Sequence, residues 1–92
     1  MSYTLNISFI FTETLESQFS LWCKNNALIE NYSIFRVIGS NEGALTYCAQ
    51  IEKETLSEVQ KTISFLNQEL FTALKKDFNE EIVYFMSALE RL

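Results

Sequence analysis

Any chemistry in this chain of 92 residues has to come from a short set of side chains: two cysteines, four tyrosines, one tryptophan, twelve carboxylates and seven cations, with no histidine. Histidine is the usual general acid/base near neutral pH and the commonest metal ligand, so nucleophilic triads and zinc sites each lose a usual member. Without an imidazole to take its proton, Cys48 reads as a small buried thiol more readily than as a nucleophile. Cys23 and Cys48 lie too far apart for a CxxC redox or metal pair, and two thiols are too few for a secreted disulfide framework. Glu52, Glu54 and Glu58 stand close in sequence, as do Glu80 and Glu81, and paired carboxylates can move protons or hold a hard cation. These fall at helix ends and turns, where solvated charge is routine, and Lys75 and Lys76 near a helix C-terminus are favourable dipole partners. The residues therefore imply no metal and no cofactor.

Twelve acidic residues against seven basic ones leave a net charge of −5. That balance argues against nucleic acid, whose binding rests on cations neutralising phosphates, and against an anionic membrane surface. No run of eighteen apolar residues is present, and the apolar stretch from Leu5 to Phe11 is broken by Asn6 and Ser8 without a basic flank or a small-residue cleavage site. A cytoplasmic protein is expected. With 48% hydrophobic residues, two glycines and no proline, residues 1–92 read as one packed domain.

The positions that could do chemistry are placed by alternation and helical spacing. Tyr3, Leu5, Ile7, Phe9 and Phe11 share one face of a first strand, opposite Thr4, Asn6, Ser8 and Ile10. After Thr12, which can cap, Leu15, Phe19, Trp22 and Asn26 or Ala27 recur at helical spacing, and Asn25 with Asn26 ends that helix. A connection to Asn31 leads into a second strand over Tyr32–Ile38, and GSNEG, from Gly39 to Gly43, makes a hairpin turn. The third strand spans Ala44–Ile51, with Leu45, Tyr47, Ala49 and Ile51 opposite Thr46, Cys48 and Gln50. Thr55 and Glu58 form a capping box ahead of a long helix carrying Leu56, Val59, Ile63, Leu66, Leu70, Ala73, Leu74 and Phe78. Phe65 and Phe71 widen its apolar arc, from which a bend midway is expected. A last strand covers Ile82–Leu89. The order βαββαβ implies an α+β, ferredoxin-like sandwich: a four-stranded antiparallel sheet, strands one and three central, with both helices on one face.

The outer strands are apolar on both faces, with Tyr32, Ile34 and Ile38 against Phe35 and Val37, and Ile82, Tyr84 and Met86 against Val83, Phe85 and Leu89. Such strands need cover. The economical cover is a homodimer in which two sheets pack face to face, as in dimeric α/β barrels; the alternative is a partly exposed apolar rim. The interior of that dimer would be lined by Thr4, Asn6, Ser8, Thr46, Cys48 and Gln50, whose polar groups would find partners across the two-fold axis, in water or in a ligand. Arg36, inside the most apolar part of the second strand, either pairs with an acid across the dimer, binds an anionic ligand, or snorkels to solvent. Trp22 belongs to the packing stripe, and its indole N–H needs a partner. RNA recognition on this fold would require aromatic residues on the open face, and a metal-chaperone role would require CxxC where the chain reads FTET.

TYCAQI and TLSE, the FSLWCK segment, the opening strand and the tail IVYFMSALERL resemble a family of small bacterial proteins known as domain-of-unknown-function 4286. The resemblance spans nearly the whole chain and implies a ferredoxin-like or dimeric α/β-barrel fold, with no established activity, cofactor or partner. Members carry histidines and a proline in the long helix and an arginine in the last strand; this chain has Leu66, Leu74, Gln68 and Met86 there, so no polar site of that make carries over. The reading favoured is a non-enzymatic homodimer that binds a small molecule between its sheets or a protein partner, through Asn6, Ser8, Arg36, Thr46, Cys48 and Gln50. The alternative is a cofactor-free enzyme, oxygenase- or isomerase-like, in which Asn6, Gln50 or a tyrosine polarises the substrate; fold analogy is its only support.

Overall fold

A computed structural model describes residues 2–39 and 43–92. Strand β1 (Tyr3–Thr12) leads through a 3-10 turn (Glu13–Leu15) into helix α1 (Glu16–Asn25), and a second 3-10 turn (Ala27–Ile29) precedes β2 (Ser33–Arg36). Strand β3 (Ala44–Lys53), helix α2 (Leu56–Phe78) and strand β4 (Val83–Glu90) complete the order. The sheet runs β2-β3-β1-β4, antiparallel throughout, so the two long strands are central as expected.

Alternation in β1 and β3 decides which face the helices cover. Leu5, Ile7, Phe9 and Phe11 from β1 join Leu45, Tyr47 and Ala49 from β3, and onto them pack Phe19 and Cys23 from α1 and Val59, Leu66, Leu70, Leu74 and Phe78 from α2. Phe19 is the hub of this layer, with ring centroids 5.1 Å from Phe9, 4.8 Å from Phe11, 5.5 Å from Trp22, 5.7 Å from Tyr47 and 5.6 Å from Phe78. Trp22 lies stacked on Phe19 and its Nε1 donates to Asp77 Oδ2 at 3.0 Å, the partner that its indole required.

Several local expectations need correction. Thr12 does not cap through its side chain; its hydroxyl bonds Thr14 Oγ1 at 3.0 Å, and the chain enters α1 by the 3-10 turn. Ile29, within what reads as a plain connection, is buried because Asn26 Oδ1 accepts from Leu28 N–H at 2.9 Å and folds that segment into a turn. Strand β2 is shorter than Tyr32–Ile38: Tyr32 N–H is already donated to Ile29 C=O at 3.0 Å, and beyond Val37 the backbone turns at Gly39, whose φ is +85°. The central residues of the GSNEG hairpin, Ser40, Asn41 and Glu42, lie outside the described residues. In the capping box, Thr55 Oγ1 accepts from Glu58 N–H at 3.1 Å, while the Glu58 carboxylate accepts from the Thr55 hydroxyl, also at 3.1 Å, instead of from its backbone N–H. Phe65 and Phe71 do not widen the buried arc; both are 57% exposed, on a helix that continues unbroken from Leu56 to Phe78.

The step from α2 to β4 carries a conformational cost. Asn79 has φ 59° and ψ −121°, and Glu81 N–H reaches Phe78 C=O at 3.1 Å, which defines a type II′ turn with Asn79 at its first central position. Glycine is the residue that takes this conformation without a Cβ penalty. Asn79→Gly should therefore stabilise the fold by about 1 kcal/mol, a rise of about 4–8 °C in thermal midpoint for a domain of this size. A calorimetric melt checks it, and an unchanged or lowered midpoint would show that the turn is not strained.

Candidate functional site on the open sheet face

Helices cover one face of the sheet only, and the register fixes what the other presents. One cross-strand row reads Phe35, Cys48, Ser8, Phe85 and the next reads Ser33, Gln50, Asn6, Ser87. Glu52, Thr4 and Leu89 form a third row, and Thr46, Ile10 and Val83 a fourth. Val37 joins the fourth through its N–H to Thr46 C=O at 2.9 Å. The two central strands thus present mostly polar side chains, Ile10 excepted, while the edge strands carry open apolar groups beside Ser33 and Ser87, with Phe35 50%, Val83 59%, Phe85 53% and Leu89 47% exposed.

The polar middle is already hydrogen-bonded within one chain. Gln50 Nε2 donates to Asn6 Oδ1 at 2.9 Å, Asn6 Nδ2 donates to Ser8 Oγ at 3.1 Å, and Ser8 Oγ lies 3.6 Å from Cys48 Sγ. The cause is register: Asn6 and Gln50 are directly paired residues, close enough for their amides to meet across the strands. Asn6, Ser8 and Gln50 thus find partners within the chain, one across the strands and one along β1. Among the described residues no buried side-chain nitrogen or oxygen is left without a partner.

Five of the six residues read as a site share this face: Asn6, Ser8, Thr46, Cys48 and Gln50. Arg36 does not. It pairs with Tyr47, whose side chain is in the core, and so belongs to the helix-covered side of the edge strand. There its Nε meets Glu16 Oε2 at 3.0 Å, and the same carboxylate oxygen accepts from Tyr47 Oη at 2.8 Å. Its acidic partner in the structure is Glu16, at the start of helix α1 of the same chain. Burial pushes the Tyr47 hydroxyl above its ordinary value, and the hydrogen bond to Glu16 and the charge of that carboxylate act in the same direction. This Glu16–Tyr47–Arg36 cluster is not legible in the sequence: Arg36 shares its parity with Ile34, but only the register with β3 places that side under the helices.

The two thiols lie on opposite sides of the sheet and both are free. Burial pushes the Cys23 thiol up to about 12, which leaves it inert as a nucleophile near neutral pH. Cys48 is half-buried in the centre of the open face. Among the described residues no group of three or more Cys, Asp or Glu gathers to hold a metal ion, and no helix is long and apolar enough to cross a membrane.

No family model and no curated protein matches the chain in sequence. Solved structures match it in shape. The de novo designed protein Foldit4 superposes with a TM-score of 0.59 at 9% identity, covering 100% of both chains. A dimeric ferredoxin-like protein from an uncultured marine organism gives 0.58 at 12% identity, covering 99% of this chain and 96% of that one. At such identities the likeness is one of fold, and the fold is the ferredoxin-like βαββαβ sandwich.

Proposed function

We propose that the chain is a non-enzymatic module that works as a homodimer, two copies packing open face on open face, and that this assembly is the platform on which a small molecule or a protein partner is held. The observation that carries the reading is the pairing of a polar middle, whose Asn6, Ser8 and Gln50 are hydrogen-bonded to one another, with exposed apolar groups on both edge strands. Burying unsatisfied amides would cost about 1–3 kcal/mol each, but these amides bring their partners with them, while the exposed phenylalanines gain from cover. Size agrees: strands about 4.8 Å apart and residues about 3.4 Å along each strand give a face on the order of 500 Å² per copy in projection. Two such faces reach about 1,000 Å², the lower bound for a specific interface, before side-chain relief adds to it. The likeness to a dimeric ferredoxin-like protein supports the same assembly. Kinship with the domain-of-unknown-function 4286 family rests on the quoted segments. A cofactor-free enzyme in this face would use Asn6, Gln50 or a tyrosine to polarise a substrate; in the structure Asn6 and Gln50 are bonded to each other.

Cys48 reports on the assembly directly, because it sits mid-face while Cys23 is inert. Alkylation of Cys48 by iodoacetamide should slow at least about tenfold as chain concentration rises from nanomolar to high micromolar, since the dimer shields it by mass action. A rate that does not depend on concentration would contradict face-to-face packing.

A further inference from the structure

At the β2 side of the open face, a recess of about 390 Å³ is lined by Thr4, Asn31, Ser33, Phe35, Gln50, Ile51 and Glu52. This lining has a consistent chemistry. Glu52 brings a carboxylate, Asn31 and Gln50 bring amide carbonyls, Ser33 and Thr4 bring hydroxyls, and no cation is among the lining residues. One N–H of Gln50 is engaged by Asn6 Oδ1, and its carbonyl oxygen is free to accept. Phe35, half exposed, supplies an aromatic surface at the same place.

We propose that this recess binds the ammonium group of a small primary alkylamine. An ammonium is a three-fold donor with no acceptor, which suits a lining rich in acceptor oxygens. Its positive charge is attracted by Glu52 and by the face of the Phe35 ring, and its alkyl chain can lie along the ring. Anionic molecules meet the Glu52 carboxylate and a chain of net charge −5, so they are disfavoured. The recess belongs to a single chain, and the site rests on the dimer only for a roof: a second copy on the open face would close it and strengthen binding by excluding water.

The test is an amide NMR titration of the full chain with n-butylammonium chloride, against n-butanol as the uncharged analogue and sodium chloride at matched ionic strength. Saturable shifts are expected at the Asn31 and Gln50 side-chain amides and at the Ser33 and Glu52 backbone amides, with n-butanol at least tenfold weaker. Glu52→Gln, at an exposed position, should keep the fold and weaken n-butylammonium at least fivefold. Equal response to n-butanol, shifts scattered over the surface, or undiminished binding to Glu52→Gln would overturn the proposal. The solution mass of the same samples separates the two readings: saturable shifts in a monomer sustain the amine site and sink the dimer, and a dimer without saturable shifts does the reverse.

Discussion

Phe19→Ala is expected to remove a large fraction of the stability of the fold. Phe19 is fully buried and its ring meets five others, from both central strands and from both helices. Truncation removes the transfer free energy of the ring and leaves a cavity, about 3–5 kcal/mol together. A chain of 92 residues has about 5–14 kcal/mol in all, so this is a large fraction of the total. The thermal midpoint should fall by on the order of 20 °C. Phe65→Ala is the control, since Phe65 is 57% exposed on the outer side of α2 and should stay within about 0.5 kcal/mol of the parent. Similar losses for both variants in urea unfolding would show that α1 is not docked through Phe19.

Phe85→Lys should leave the fold intact and separate the copies. Phe85 is 53% exposed on one chain, so the substitution costs little within it. In the dimer the same change occurs twice, because a two-fold interface uses each residue once from either copy. Each lysine would have to be buried among apolar groups or held out of the interface, and at least about 100-fold weaker association is expected, about 2.7 kcal/mol. Phe65→Lys, a charge of the same kind on the helix side, should leave association unchanged. If both variants associate as tightly as the parent, the open face is not where the copies meet.

Strong periodicities were readable and weak ones were not. The alternation from Tyr3 to Phe11 and from Leu45 to Ile51 predicts both central strands and the residues on each face, because one buried face leaves little freedom of register. Spacing likewise predicts α2, from Val59 to Phe78. Arg36 was misplaced because β2 is apolar on both sides, so hydrophobicity could not say which side faces the helices; the register, which pairs Ile34 with buried Ala49 and Arg36 with buried Tyr47, does. The satisfaction of Asn6 by Gln50 and Ser8 was hidden for a different reason. Period alone puts these side chains on one face, but only register puts Asn6 opposite Gln50. Glu16 with Tyr47, and Trp22 with Asp77, are contacts between elements distant in sequence, and no local pattern encodes them.

The central claim is that the open sheet face is an interface between two copies, and the absolute mass of the unmodified chain in solution, by light scattering across a micromolar concentration series, tests it most directly. The expected result is twice the 10.7 kDa of one chain, falling toward 10.7 kDa only on strong dilution. A mass of 10.7 kDa throughout the series would contradict it, leaving Phe35, Val83, Phe85 and Leu89 open to water on the free molecule.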